Sequence, residues 1–176
     1  MTSTRYLLLA GLLAGCNSEQ TTLPAHSGMH GDAVTLPNSA LADLRRVTDK
    51  YHDLNLALRD GYAIFGGCFA DSVLGGMGQH YANDAIINDP TVKATEPELL
   101  LYETGPTGRP RLVAVEYIVF QAAWDANHAS PPQLFGETFG LNTTLLPEPF
   151  YLLHAWAWKP NPSGTFANWN PRVSCS

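Results

Sequence analysis

Apolar residues recur every three or four positions from Leu41 through Leu44, Val47, Tyr51 and Leu54 to Leu58, the spacing of one buried helical stripe. Asn38 or Ser39 can cap such a helix, and Gly61 stands where a helix ending near Asp60 calls for a left-handed residue. The spacing therefore predicts one long helix over 38–60. His52 falls at the edge of the stripe, beside Asn55 and on the same side as Asp49, where it can pack, cap or ligate.

Beyond Gly61 the period changes. Residues 62–83 are rich in glycine and irregular, with Gly66-Gly67-Cys68 and Gly75-Gly76-Met77-Gly78-Gln79-His80-Tyr81, and predict a loop of the kind that carries function. Residues 98–104 and 111–120 predict two strands of a hairpin about Gly105-Pro-Thr-Gly-Arg-Pro110. Alternation puts Leu112, Ala114, Glu116 and Ile118 on one face and Val113, Val115, Tyr117 and Val119 on the other. A tight hairpin sets Glu103 opposite Leu112 and leaves Glu116 about 13 Å further along, at 3.3 Å per residue. A last strand over 150–158 places Leu152, His154, Trp156 and Trp158 on one face. Together these elements predict an α+β domain, a long N-terminal helix packed on a mainly antiparallel sheet with long irregular connections.

The N-terminus carries a different signal. Arg5 precedes a short apolar run, Tyr6 to Leu13, and the run ends in Leu13-Ala14-Gly15-Cys16. That arrangement resembles the lipobox of bacterial lipoprotein precursors, which implies cleavage before Cys16, lipid on its sulfur and anchoring of the mature chain to a membrane. The apolar run is too short to span a bilayer, which takes about 20 residues. Residues 16–37, rich in Ser, Thr, Gly and Pro, then read as a flexible tether, and 38–176 as one globular domain. Removal of residues 1–15 leaves nine basic against sixteen acidic residues, a balance that argues against nucleic acid as a partner.

An exported chain changes the reading of its cysteines. With Cys16 taken by lipid, Cys68 and Cys175 remain, and in an oxidising compartment they most simply pair; metal thiolates are the alternative, although neither lies in a CxxC or CxxH spacing.

Candidate chemistry rests on histidines and misplaced acids. His80 follows the glycine-rich turn, with Met77 three residues before it as a soft partner. Glu116, and Glu103 after Leu99 and Leu101, each sit in an otherwise apolar row, where a carboxylate needs a partner or a metal. His154 lies among aromatics, the setting of a hydrogen-bonded core histidine or of a ligand. His26, Met29 and His30 in the tether are a second set of copper-compatible groups. Nucleophile elbow, phosphate loop and dinucleotide fingerprint do not occur.

Gly76-Met77-Gly78-Gln79-His80-Tyr81, Pro97-Glu98-Leu-Leu-Leu-Tyr102-Glu103, Glu116-Tyr117, Leu153-His154-Ala-Trp156 and Asn161-Pro-Ser-Gly-Thr-Phe166 onward to Cys175 resemble a family of exported bacterial lipoproteins, mostly without assigned function. The resemblance covers nearly the whole mature domain and carries an association with copper-dependent superoxide dismutation. The chain departs from the copper-zinc dismutases in lacking their His-x-His strand pattern. Two functions are thus expected. One is an anchored envelope copper protein, possible superoxide dismutase, with His52, His80 and His154 as ligands and Glu116, Glu103 or Met77 assisting; zinc or no metal are the alternatives. The other is a non-enzymatic structural or binding subunit of an envelope protein complex.

Overall fold

The computed structural model describes residues 37–105 and 107–175. The signal segment, the tether with His26, Met29 and His30, and the lipidation candidate Cys16 lie outside them. The elements are α1 (Pro37–Thr48), a 3-10 turn (Asp49–His52), α2 (Leu54–Arg59), β1 (Tyr62–Asp71), β2 (Gly75–Asn83), α3 (Asp84–Ile87), β3 (Leu99–Thr104), β4 (Pro110–Phe120), α4 (Gln121–Asp125), β5 (Gln133–Leu134), β6 (Glu137–Thr138), β7 (Gly140–Asn142) and β8 (Phe150–Ala155). Six strands form one antiparallel sheet in the order β1-β2-β3-β4-β8-β7, and β5 and β6 pair separately. The antiparallel sheet is as expected. The single long helix is not.

The helical stretch breaks at Asp53, which sits in an extended conformation and accepts from the Asn55 backbone N–H with its side chain. A short acidic side chain that caps a new helix competes with continuation of the old one. The break also rotates the stripe: Leu44, Tyr51 and Ala57 are buried, whereas Leu58 is exposed. Gly61 does occupy the left-handed region, with φ of 94°.

The expected loop over 62–83 is instead the hairpin of β1 and β2. Its glycines serve the sheet. Gly66 and Gly67 fall between Phe65, paired with His80, and Cys68, paired with Gln79, as a bulge. Gly78 has φ of 101°, and a Cβ there would meet the Tyr102 carbonyl oxygen at 2.7 Å.

A second bulge reshapes the β3–β4 pair. Leu99 pairs with Glu116 and Leu101 with Ala114, but Tyr102 pairs with Leu112 and Glu103 with Arg111 rather than Leu112. Leu112 therefore packs with Val115, Tyr117 and Val119 on one side of the sheet, and Val113 with Ala114 and Ile118 on the other, opposite to the simple alternation. The freed Val113 carbonyl accepts from the backbone of both Trp158 and Lys159. That ends β8 at Ala155 and sends Trp158 away from the face shared by Leu152, His154 and Trp156.

The two faces have different partners. The helices at 37–59 cover the side carrying Tyr102, Val115, Tyr117 and Leu153, tied down by Tyr102 donating to the Tyr51 carbonyl and Arg45 donating to the Ala157 carbonyl. The opposite side is covered by connecting segments, chiefly the stretch after β7 and the C-terminal residues. Asn170 exchanges backbone hydrogen bonds with Gly76 at 3.1 and 3.0 Å, a close approach that only a glycine next to it permits: a Cβ at Gly75 would lie 2.3 Å from the Asn170 carbonyl oxygen. The Cys68–Cys175 disulfide is present and locks this C-terminal segment to β1.

Candidate metal centre

Three side chains project from the face opposite the helices. His80 comes from β2, Glu116 from β4 and His154 from β8, and each is at least nine-tenths buried. Glu116 and His154 are direct cross-strand partners, while His80 reaches over β3 from a position paired with Leu101, two residues along from Glu116's partner Leu99. The alternation of each strand forces all three onto one surface.

Their donor atoms converge. Oε2 of Glu116 lies 3.3 Å from His80 Nε2 and 3.8 Å from His154 Nε2, and one donor atom from each of the three falls within 4.8 Å of the others. Metal bonds of roughly 2.1 Å at tetrahedral angles put donors about 3.4 Å apart, a spacing the two contacts of Glu116 meet to within a few tenths of an ångström, while a pair at the 4.8 Å limit must close by more than an ångström to share one ion. The remaining polar atoms also point to a missing partner. Nδ1 of His80 and both ring nitrogens of His154 are fully buried without a hydrogen bond of good geometry; Asn168 lies near enough to His154 to favour its protonated form, but not in bonding geometry. Buried polar groups with no partner are costly, and an ion coordinated beside Glu116 would satisfy His154 Nε2, the one of these atoms that faces the carboxylate.

Burial and mutual charge act on the set in opposite directions. Burial holds the His154 imidazole below its usual pKa, the Glu116 charge opposing and the neighbouring His80 reinforcing that effect, so His154 is disposed to be neutral. For Glu116, burial pushes upward, but the two histidines outweigh it and hold the carboxyl below its ordinary range. Neutral imidazole and ionised carboxylate are the ligating forms.

A cavity of about 190 Å³ opens beside the three residues. Its wall includes Phe65 and Phe69 from the bulged β1, Met77 from β2, Ile118 from β4, Leu152 from β8, and Leu145 and Leu146 from the stretch after β7. That stretch is turned inward by Asn142, whose side chain accepts from the backbone N–H groups of Thr144 and Leu145. The far wall is Asn168 and Trp169, held in place by Trp156 donating to the Ala167 carbonyl and Asn161 donating to the Trp169 carbonyl.

Of the residues expected at the site, the structure unites His80, Glu116 and His154 and sets Met77 in the adjoining wall. Two others belong elsewhere. His52 is exposed on the helical side and packs edge-on against Trp158 with ring centroids 4.4 Å apart. Glu103 is buried but neutralised: Lys159 donates to it and Arg111 lies 3.7 Å away across the hairpin. The aromatic and asparagine walls were not anticipated. The doubled glycine beside Cys68 and the two asparagines bracketing 161–170 were the available signals.

Another buried acid, Glu98, lies just before β3. One carboxyl oxygen accepts from the Ile118 N–H at 3.2 Å, the other has no partner, and burial pushes its pKa up to about 8.

The chain matches no protein-family model, no curated protein and no solved structure.

Proposed function

We propose that the protein is a metal-binding protein of the bacterial cell envelope, holding one divalent transition-metal ion through His80, Glu116 and His154 with a coordination position left open toward the cavity. The convergence of three buried donors, with His154 Nε2 left without a hydrogen-bond partner, is the observation that carries this reading. Three protein ligands with a vacant position are the pattern of catalytic rather than structural metal sites. Copper is the first choice of metal, on the imidazole-rich donors and the neighbouring Met77; two imidazoles and one carboxylate also suit zinc or ferrous iron. The lipobox at Cys16 supports anchoring to a membrane, and the Cys68–Cys175 bridge is compatible with an extracytoplasmic home.

Superoxide dismutation is one activity such a centre would support if copper fills it, the metal alternately oxidising one superoxide and reducing the next. One observation favours a different use: among the described residues no Lys or Arg lines the cavity, so nothing in that wall steers a small hydrated anion to the metal. Metal analysis of the full chain purified from its envelope fraction, without added metal, tests the central claim. About one transition-metal ion per chain, lost from the His80→Ala and His154→Ala variants, is expected. A metal-free protein that also fails to bind copper, zinc or iron on reconstitution refutes it.

A further inference from the structure

The cavity is larger than the metal chemistry alone requires. Its volume of about 190 Å³ exceeds the apolar cavity of about 150 Å³ that accepts benzene, and far exceeds what a diatomic substrate needs. Most of its wall is aliphatic or aromatic, including Phe65, Phe69, Ile118, Leu146 and Leu152, and polar side chains there are few. Its floor is different. A divalent ion held by one carboxylate and two neutral imidazoles keeps a net positive charge, and among the described residues no other charged side chain lines the space. Apolar walls with one cationic point at the bottom select an occupant of matching polarity, a hydrophobic body with a single anionic end.

We propose that the cavity binds a small organic acid, a single ring or short hydrocarbon bearing one carboxylate, whose carboxylate oxygen takes the open position on the metal. The proposal rests on the metal-site reading. The apolar body fills the space between β1 and the stretch after β7, and the carboxylate neutralises the site. Multiply charged anions are rejected, because their remaining charges would be buried among hydrocarbon. Neutral alcohols of the same size fill the cavity but leave the positive charge without a counterion. Leu152 contributes to specificity: it stands two residues from His154 on the same face of β8, so added bulk there shortens the space without removing a ligand.

Cobalt(II) in place of the native metal gives a visible spectrum that reports changes in coordination, independent of any activity. The cobalt-loaded full chain is titrated with benzoate, acetate and benzyl alcohol. Benzoate is expected to perturb the spectrum with at least about tenfold tighter affinity than acetate, as burial of a ring's apolar area implies, and tighter than benzyl alcohol. Leu152→Phe is expected to weaken benzoate about tenfold or more and leave acetate unchanged; Leu145→Trp, at a half-exposed position of the wall, serves the same purpose should Leu152→Phe fail to fold. Stoichiometric cobalt with benzoate no tighter than acetate overturns the organic-acid assignment while leaving the metal site standing. Benzoate binding that neither variant weakens places the ligand outside this cavity and also overturns it. A chain that refuses cobalt and also copper, zinc and iron removes both readings.

Discussion

Glu116 and His154 face one another directly across β4 and β8, buried on an otherwise hydrocarbon surface, with Glu116 Oε2 3.8 Å from His154 Nε2. Too long for a hydrogen bond and too close for indifference, the pair is held apart by strand spacing and brought together only through a third group. His80 supplies part of that group from β2, at 3.3 Å from the same oxygen.

A buried carboxylate kept for ligation should cost stability in the metal-free protein. Glu116→Leu is expected to leave the apo fold as stable as the parent or about 1 to 4 kcal/mol more stable, as found when buried ionic groups give way to hydrocarbon of similar volume. The same substitution should lower metal affinity by more than about 100-fold, beyond the loss caused by removing an outer partner of a ligand. Denaturant unfolding and metal titration on one preparation check both halves, and a destabilised apo variant would assign Glu116 a structural role. His52→Ala, by contrast, should leave metal affinity unchanged, since His52 packs on Trp158 on the helical side.

The disulfide bears on the site as well as on the fold. Its two cysteines are 107 residues apart, and the chain-entropy model values a loop of that length at roughly 4 to 5 kcal/mol. Cys68→Ser with Cys175→Ser is expected to destabilise by up to that amount. Asn168 and Trp169 are held by the same C-terminal segment, so faster hydrogen exchange around Asn170 should accompany the loss. Exchange unchanged at Asn170 and Gly76 would show that the segment docks without the bridge.

Much of the site was legible because polar residues interrupt apolar rows. Glu116 among Ala114 and Ile118, and His154 between Leu152 and Trp156, stand out by alternation alone, since β-strand faces follow from a period of two. Glu103 stands out by the same rule and is no ligand. What distinguishes it is Lys159, 56 residues away, brought near by the Val113 bulge. Periodicity alone reads 38–60 as one unbroken helix, but Asp53 caps a new one, and His52 lies in the turn before it, packed on Trp158. The β1–β2 hairpin was hidden by its glycines, whose cause lies in other parts of the chain: the Tyr102 carbonyl over Gly78 and the Asn170 backbone beside Gly75. Local pattern locates the donors, and long-range contact decides which of them meet.

Gly78 offers a direct test of that last point. Its positive φ and the 2.7 Å approach to the Tyr102 carbonyl oxygen both oppose a side chain, so Gly78→Ala should destabilise by about 2 to 4 kcal/mol. Since His80 lies two residues along the same strand, metal affinity should fall with it. Gly140→Ala, at a position where a Cβ meets nothing within 4 Å, is the control and should change stability by less than about 1 kcal/mol. Equal effects of the two substitutions would dismiss close packing as the reason for glycine at 78.

Glu98 makes stability depend on pH in a direction opposite to that of acids held ionised by a salt bridge or hydrogen bonds. Burial is the main cause of its elevated pKa, Asp89 and Glu116 add to it, and its own backbone and the Ile118 N–H pull the other way. The folded protein therefore holds a proton on Glu98 up to about pH 8, whereas the unfolded chain releases it near 4.5. Between those limits the native state binds more protons than the unfolded state, so this group's contribution is complete below about pH 4.5 and is lost as pH rises toward 8. At about 1.4 kcal/mol per pH unit the full loss over the 3.5 units between 4.5 and about 8 is on the order of 5 kcal/mol. Glu98→Gln keeps an oxygen to accept from Ile118 and has no proton to lose. Subtracting the variant's stability from the parent's at each pH removes the contributions of His154 and Glu116, which both variants share. The difference is expected to favour the parent progressively less from pH 5 to 8 in chemical denaturation, with Glu98→Gln the more stable protein at pH 8. A difference that stays flat across that range would mean that Glu98 is ionised in the native state and that its second oxygen has found a partner.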